Sequence, residues 1–214
     1  MVETQIAPRG IADPAVLRAM ERVPRHRFVP VEYHYQAYAD HPLPIGYGQT
    51  ISQPYIVALM TQLLRLSPED RVLEVGTGCG YQAAVLAEIV AEVYTVEIVP
   101  QLAEEAGRRL AELGYSNVHA REGDGYEGWP EHAPYDGIIV TAAALETPPP
   151  LIEQMADGGR LIIPVGASFG YQELWLLEKE GEKVRRTSYG GVLFVPLTRA
   201  RHQWKEADAG DRGT

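Results

Sequence analysis

The sequence predicts an α/β fold built on a doubly wound, mostly parallel sheet with an antiparallel C-terminal edge. From residue 71 onward, short continuous apolar runs alternate with helical patterns, as expected for parallel strands that are covered on both faces. The first run ends in closely spaced glycines that lead straight into a helical pattern, which is typical of Rossmann-like folds. The last two apolar runs have no helix between them, and this predicts antiparallel pairing.

Ahead of the sheet, residues 1–66 predict an N-terminal extension of helices and loops. A helix with one apolar face is predicted over 14–23, because Asp13 is a good cap and a proline occupies the first helical position. Residues 24–51 are rich in proline, glycine and aromatic side chains and show little periodicity. A second helix is predicted over 54–66, where another proline opens an apolar helical pattern.

The core is predicted to contain five parallel strands with helices between them, followed by two antiparallel strands. The parallel strands are predicted at 72–75, 93–97, 117–121, 136–141 and 160–165, and the helices at 81–90, 100–113 and 148–156. The last two strands are predicted at 172–179 and 190–196, with the polar residues 180–182 as turn material. We therefore predict one domain over 1–214, with a cofactor-binding core at 67–204 and a disordered tail at 205–214.

The junction after the first core strand is the most informative feature of the chain. Residues 72–81 read Val-Leu-Glu-Val-Gly-Thr-Gly-Cys-Gly-Tyr. A nicotinamide-binding loop needs G-x-G-x-x-G, but Tyr81 occupies the position of the third glycine. The spacing resembles the E/D-x-G-x-G-x-G loop of S-adenosylmethionine-dependent methyltransferases, and a generic glycine-rich turn is the alternative for the loop taken alone. On this resemblance, the residues predicted to contact the cofactor are Glu74, Gly76, Thr77, Gly78 and Gly80.

Two further acidic residues follow the ends of later strands. Glu97 stands 21 positions beyond Gly76, where doubly wound folds place the acid that accepts hydrogen bonds from ribose hydroxyls. Asp124 lies between two glycines after the next strand, where it could accept a hydrogen bond from an adenine amino group, with Gly125 beside it. A surface salt bridge would explain either acid singly, but two acids at successive strand ends favour a cofactor site.

Composition excludes several classes of protein. With 45% hydrophobic and 22% charged residues, the chain has the composition of an ordinary globular protein, and no apolar run is long enough to span a bilayer. The net charge of −10 argues against nucleic acid as a partner. A single cysteine, Cys79, allows no internal disulfide and predicts a cytoplasmic protein. The six histidines show no metal-ligand spacing on a helix, so no metal is predicted.

Residue usage also hints at growth at high temperature. Arginine outnumbers lysine 16 to 3, there are 16 prolines, and Asn117 is the only asparagine. Few thermolabile residues and proline-rich loops are typical of thermophilic proteins. A high genomic GC content would produce the same arginine bias.

The extension and the C-terminal segments narrow the function, because the chain resembles the protein-L-isoaspartate O-methyltransferase family nearly end to end. The resemblance depends most on the segment Thr-Ile-Ser-Gln-Pro at 50–54, which follows Pro-Ile-Gly and is specific to that family. Cys79 stands where relatives more often carry serine, and Tyr55 where some carry histidine. The other matching parts are Tyr38, the glycine-rich loop and the segments 23–30, 42–49, 123–125, 133–136, 141–144, 158–161, 194–198 and 203–204.

The resemblance implies an enzyme that methylates the α-carboxylate of L-isoaspartyl residues in damaged proteins and peptides, with S-adenosylmethionine as methyl donor. It implies that Ser52 is the active-site residue, and that the cofactor pocket is lined by Thr50, Ile51, Ser52, Thr198 and Gln203. The product would be S-adenosylhomocysteine. We expect a monomer with neither nucleic acid nor membrane as a partner.

The physical interpretation of Ser52 has two forms. A hydroxyl just before a helix can hydrogen-bond a substrate carboxylate, whose charge the helix N-terminus favours. The same hydroxyl could instead cap the helix that starts near Pro54. The residue pattern alone does not separate the two, and the family resemblance favours the substrate role. Arg25 and Arg27 could steer an acidic peptide, but solvated surface charge is the favoured interpretation of both.

The alternatives to an isoaspartyl methyltransferase come from three classes. A methyltransferase of another small-molecule carboxylate or hydroxyl, or of RNA, would keep the glycine-rich loop but has no reason for the segment 50–54. A nicotinamide oxidoreductase lacks its third glycine. A non-catalytic binding protein would need neither the intact loop nor Ser52.

Overall fold

A computed structural model describes residues 1–167 and 170–199 of the chain. Its N-terminal part contains a π-helical turn, three short 3-10 helices, two α-helices and a small hairpin. Asp13 caps the first α-helix as predicted, because its side chain accepts hydrogen bonds from the Ala15 and Val16 amides. The elements are α1 (Pro14–Arg22), β1 (Leu43–Gly46), β2 (Gln49–Ile51) and α2 (Pro54–Leu64).

A seven-stranded sheet forms the centre of the molecule, in the order β5-β4-β3-β6-β7-β8-β9. Its strands are β3 (Arg71–Val75), β4 (Glu92–Glu97), β5 (Val118–Glu122), β6 (Tyr135–Val140), β7 (Met155–Gly166), β8 (Gln172–Glu180) and β9 (Lys183–Val192). The helices between them are α3 (Tyr81–Ala87), α4 (Pro100–Glu112) and α5 (Pro149–Glu153).

The predicted fold class is confirmed. Strands β3 to β7 pair in parallel, and β8 and β9 add an antiparallel edge. The chain order reverses between β3 and β6, which are neighbours in the sheet. In such sheets the crevice beyond the carboxyl ends of the two strands at this switch point is where ligands bind.

Some predicted boundaries were wrong. The last strand covers 183–192 and not 190–196, because its side chains are mostly polar and exposed on the sheet edge and give no apolar signal. The helix predicted to 156 ends at Glu153, and β7 begins two residues later. Residues 24–51, which show little periodicity, contain the hairpin β1–β2 and two of the 3-10 helices.

The extension packs directly on the sheet and its helices. Phe28 meets Tyr81 of α3 edge to face with ring centroids 5.5 Å apart, and both rings are buried. One hydrophobic cluster contains residues of the extension together with residues of the strands. In the described part of the chain, no helix has both the length and the apolar character needed to cross a membrane.

Candidate active site

The glycine-rich loop at the end of β3 can be built only with glycines. Gly76, Gly78 and Gly80 all have positive φ values, of 96°, 53° and 89°. A Cβ on Gly76 would also lie 2.5 Å from Oγ1 of Thr141, which follows β6. The loop backbone is therefore pressed against the end of the neighbouring strand at the switch point.

Glu97 ties this loop to the segment that follows β4. Its Oε2 accepts a hydrogen bond from the Gly78 amide at 2.7 Å, and its Oε1 accepts one from the Val99 amide at 3.0 Å. The side chain is buried, yet it borders an open cleft. A carboxylate oxygen has two lone pairs, so each oxygen can accept one more donor from a ligand in that cleft.

The cleft lies beyond the carboxyl ends of β3, β4 and β6 and has a volume of about 530 Å³. It brings together six predicted residues: Thr50, Gly76, Gly78, Glu97, Gly125 and Thr198. Asp124 is not among its lining residues; Oδ1 of its carboxylate accepts the Tyr126 amide at 2.9 Å. Gln203 lies outside the described residues, as does the predicted tail 205–214.

A second pocket, of about 330 Å³ including the solvent at its opening, lies next to the cleft. The two share Thr50, Gly76, Gly78 and Thr141 in their walls. The second pocket brings in the other predicted residues Ile51, Ser52, Glu74 and Thr77. The segment at 50–52 and the glycine-rich loop therefore both border the second pocket, next to the cleft.

Gly80 borders neither the cleft nor the second pocket. A Cβ at this position would meet Cδ1 of Leu110 at 3.1 Å and Cβ of Ala106 at 3.5 Å. Because Gly80 has no side chain, the start of α3 packs closely on α4. The effect of Gly80 on the site is therefore indirect.

Glu74 is a fully buried carboxyl group at the back of the second pocket. The Thr95 hydroxyl donates to its Oε2, and Thr95 is itself 2.6 Å from the Thr77 hydroxyl. Oε1 has no hydrogen-bond partner among the described residues. Burial raises the pKa of Glu74 to about 8, and the negative charge of Glu97 adds to the rise, although the Thr95 hydroxyl opposes it.

Ser52 is half-buried in the wall of the second pocket and is not the cap of α2. The N-cap position belongs to Gln53. The capping contact comes from Asp40, whose Oδ1 accepts the Tyr55 amide at 2.9 Å while its Oδ2 accepts Nε2 of Gln53 at 2.7 Å. The capping interpretation of Ser52 is therefore wrong, and its hydroxyl is available to a ligand.

Arg25 corrects another prediction, because it is completely buried and not a solvated surface charge. Its Nε donates to the Ala37 carbonyl at 2.8 Å, and its Nη2 donates to the Ser52 carbonyl at 2.7 Å. Neighbouring Arg27 is exposed, as predicted. No pattern in the sequence separates the two arginines, because the acceptors of Arg25 come from segments that meet only in the folded chain.

Two wall elements of the cleft were not predicted. Thr141 donates its hydroxyl to the Gly76 carbonyl at 2.6 Å and so fixes the loop. Its place directly after a core strand at the switch point is a signal that could have identified it. The second element is a strap at 195–197, which is held by hydrogen bonds between Ala143 and the backbones of Val195 and Leu197.

The described residues contain no group of three or more histidine, cysteine, aspartate or glutamate side chains arranged to hold a metal ion. The donor set of the cavity consists of two carboxyl groups, hydroxyls and backbone amides. It is suited to a ligand with hydroxyl and ammonium donors, since carboxylate and hydroxyl oxygens accept such bonds.

Comparison of the sequence with known proteins finds relatives that share one enzyme name. The sequence profile described as protein-L-isoaspartate(D-aspartate) O-methyltransferase matches residues 1–202. A protein-L-isoaspartate O-methyltransferase of Gloeobacter violaceus is 57% identical over 203 residues, which cover 95% of this chain and 99% of that protein. The protein-L-isoaspartate O-methyltransferase 2 of Syntrophobacter fumaroxidans is 60% identical over 187 residues, 87% of this chain and 76% of that one.

Solved structures agree with the sequence comparison. A structure of a protein-L-isoaspartate O-methyltransferase matches with a TM-score of 0.82 and 30% identity, over 94% of this chain and 67% of that chain. A candidate enzyme of the same name from Plasmodium falciparum, in complex with S-adenosyl-L-homocysteine, matches with a TM-score of 0.77 and 27% identity over 90% and 94% of the two chains. The chain therefore belongs to the protein-L-isoaspartate(D-aspartate) O-methyltransferase family.

Proposed function

We propose that the protein transfers a methyl group from S-adenosylmethionine to the α-carboxylate of L-isoaspartyl residues in damaged proteins and peptides. One observation carries the proposal: Ser52 and the glycine-rich loop border one pocket, which shares Thr50 and Gly76 with the cleft. The family supplies the substrate class. The backbone amide nitrogen then attacks the methyl ester spontaneously, methanol leaves and a succinimide forms, whose hydrolysis by water restores some normal aspartate.

The cleft fits the adenosine half of the cofactor. Glu97 retains one acceptor site on each oxygen, and the two ribose hydroxyls are the donors that would use them. Gly125 has no room for a side chain, because a Cβ would lie 2.4 Å from Val75, and it leaves bare backbone at the cleft wall. We assign Asp124 and Gly125 to the adenine. Thr198 and Gln203 remain the residues expected from the family resemblance to line the cofactor pocket, and Gln203 lies outside the described residues.

The second pocket fits the amino-acid half of the cofactor. Oε1 of Glu74 is a buried acceptor without a partner among the described residues, and an ammonium group is the donor that would satisfy it. A positive charge there would also lower the pKa of Glu74 from its raised value, so binding near pH 7 should release a proton. Calorimetry in two buffers of different ionisation enthalpy measures that proton, and equal heats would contradict the assignment.

Ser52 is the residue that we assign to the substrate. The isoaspartyl carboxylate is already ionised at neutral pH, so the reaction needs no strong base from the protein. When bound, the cofactor supplies a methyl group on a sulfonium. The protein must hold one carboxylate oxygen in line with the methyl–sulfur bond and exclude water, which is chiefly a matter of orientation. A hydroxyl with no capping role can donate to the other carboxylate oxygen and fix that orientation.

A pair of peptides tests the proposal. Methyl transfer from labelled S-adenosylmethionine is measured with an isoaspartyl peptide and with its normal aspartyl twin. We expect transfer to the first and none above background to the second. Equal labelling of both, or labelling of neither with efficient labelling of a small carboxylic acid, would replace the proposal with the alternative methyltransferase of a small-molecule carboxylate or hydroxyl.

We also propose a cytoplasmic, heat-stable monomer that binds neither nucleic acid nor membranes. The supports are the single cysteine, the net charge of −10 and the scarcity of asparagine. Light scattering of the purified chain tests the monomer, and retention of activity after heating tests the heat stability. A molecular mass of two or more chains would contradict the monomer, and inactivation at moderate temperature would contradict the heat stability.

A further inference from the structure

Arg25 carries a charge that the protein does not neutralise. Its side chain is completely buried, and it forms no ion pair within 4.0 Å among the described residues. Two of its nitrogens donate to backbone carbonyls, and Nη1 meets no acceptor at hydrogen-bond geometry in the described part of the chain, although the neutral Tyr81 hydroxyl stabilises the charge from nearby. Arginine stays protonated in proteins, so a net positive charge remains in the interior.

The titratable groups around Arg25 do not supply the missing negative charge. Burial raises the pKa of Tyr81 to about 12 and also raises the pKa of the Cys79 thiol, so both are neutral at pH 7. Asp40 is the remaining acid that influences Arg25, and its effect is the smallest. That carboxylate already accepts hydrogen bonds from Arg9, Gln53 and the Tyr55 amide.

This charge lies directly behind the second pocket. Arg25 donates to the carbonyl of Ser52, and its guanidinium carbon is 4.8 Å from the centre of the Tyr81 ring. Ser52 and Tyr81 both line the pocket, whereas Arg25 does not. An isolated buried charge is strongly destabilising unless it is compensated. An anion in the pocket next to Ser52 would provide that compensation.

We infer that Arg25 is a positioning residue that holds Ser52 in place and makes the second pocket select a carboxylate over a neutral group of the same shape. The inference deepens the proposed function and rests on it. The anion concerned is the isoaspartyl α-carboxylate on the Ser52 side of the second pocket, and not the carboxylate of the cofactor's amino-acid half, which we assign to the Glu74 side. A purely structural interpretation competes with it. In that interpretation Arg25 only joins the Ala37 and Ser52 segments, and its charge has no effect on the ligand.

A pair of ligands separates the two interpretations. One is an isoaspartyl peptide, and the other is the same peptide with the α-carboxylate replaced by a carboxamide. Dissociation constants of both are measured in the presence of S-adenosylhomocysteine, so that no turnover occurs. We expect the wild-type protein to bind the carboxylate at least tenfold more tightly than the carboxamide.

Three variants test the role of the charge. Arg25→Gln keeps a donor for the Ser52 carbonyl but removes the charge, and it should reduce the preference about tenfold, which corresponds to about 1.4 kcal/mol. Arg25→Lys keeps the charge and should retain most of the preference. Arg27→Gln removes a neighbouring exposed arginine and should leave the preference unchanged. Melting temperatures report any structural loss separately.

Several outcomes would overturn the inference. A wild-type protein without preference for the carboxylate would do so without any variant, and so would an Arg25→Gln protein that keeps the wild-type preference. If Arg25→Gln fails to fold, a folded Arg25→Lys protein that has lost the preference decides against the role of the charge. Failure of the proposed function is recognised differently, because wild-type protein would then not distinguish the isoaspartyl peptide from its aspartyl twin.

Discussion

The hydroxyl of Thr95 lies 2.5 Å from Oε2 of Glu74, inside a sheet interior where neither side chain meets solvent. This contact links two neighbouring parallel strands, since Glu74 and Thr95 are register partners of β3 and β4. The Thr95 hydroxyl and a weaker backbone contact from Ala83 do not compensate a buried carboxylate, which normally needs several good donors or a positive charge. The carboxyl group therefore remains largely protonated at neutral pH when no ligand is bound, in keeping with its raised pKa.

Glu74 should make the stability of the ligand-free protein depend on pH. Its pKa rises from an ordinary value of 4.5 to about 8 on folding, so the folded state binds the extra proton between these values. The contribution of this proton to the free energy of unfolding is fully present below about pH 4.5. As the pH rises to about 8 this contribution is lost, and the free energy of unfolding falls by up to about 1.4 kcal/mol per pH unit. Denaturant unfolding of the wild type and Glu74→Gln across this range measures the difference. Parallel curves for the two proteins would show that Glu74 does not titrate in this window.

Glu97 should contribute to cofactor affinity. Glu97→Ala should weaken S-adenosylmethionine binding by about 1.5–3 kcal/mol, the range for a hydrogen bond to a charged group. Because Glu97 also accepts the Gly78 and Val99 amides, Glu97→Gln is a useful companion, since its amide oxygen can replace only part of these contacts. Calorimetric titration gives both affinities. An affinity of Glu97→Ala within twofold of wild type would remove Glu97 from the site.

The parts of the site that could be predicted are those set by local chain geometry. The glycines at 76, 78 and 80 and the acid 21 positions beyond the first of them are fixed by the strand-to-helix turn and by the length of the next helix. The burial of Arg25 could not be predicted in this way. Its acceptors are the carbonyls of Ala37 and Ser52, which are 12 and 27 residues away along the chain.

The fold likewise contains elements that could be predicted from the sequence and elements that could not. The inner parallel strands β3, β4, β6 and β7 have buried side chains on both faces, and their sequence signal is strong. Strand β9 pairs on one side only and exposes residues such as Arg186 and Thr187, so alternation and apolar runs are both lost. The hairpin β1–β2 is short and lies in a segment where proline and glycine interrupt any period. Such elements depend on tertiary contacts and not on local pattern.

Alanine variants of Ser52 and Asp40 should separate the catalytic role that we assign to Ser52 from the helix-capping role of Asp40. Ser52→Ala should lower kcat/KM at least tenfold, equivalent to about 1.4 kcal/mol of transition-state stabilisation, with a melting temperature close to wild type. Asp40→Ala should lose at least about 1 kcal/mol of stability, because it removes the acceptor of the Tyr55 amide at the start of α2. Kinetics and thermal unfolding of both variants check this. Normal turnover by Ser52→Ala would exclude it from the reaction.

The chain contains three Asp-Gly pairs, the sequences most prone to the damage that we propose the protein repairs. Asp136 is at the start of the paired strand β6, its Oδ2 accepts the Arg71 amide, and a Cβ on Gly137 would be 2.9 Å from Leu66. The predicted helix at 148–156 and strand at 160–165 would place Asp157 in a turn between them, but it lies in a bulge of β7. In the register of the two strands, Tyr135 of β6 pairs with Met155 of β7, whereas Gly137 pairs with Arg160, so β7 has extra residues between the two pairs.

Asp157 should therefore be the first of the three to form isoaspartate in heat-aged protein. It is exposed, and Gly158 has a φ of 78° with nothing within 4 Å of a Cβ position, so the backbone there can move toward ring closure. The bond from the Gly181 amide to Oδ1 of Asp157 is exposed to water and should slow the reaction only modestly. Asp124 should be protected by S-adenosylmethionine if its carboxylate engages the adenine. Peptide mapping of aged protein with and without cofactor, followed by labelling with fresh enzyme, measures both effects.

Asp157→Glu is the control, because its longer side chain would have to close a six-membered ring and should abolish the first labelled site. Damage that begins at Asp136, where the paired strand fixes an extended backbone, would show that backbone freedom does not set the order.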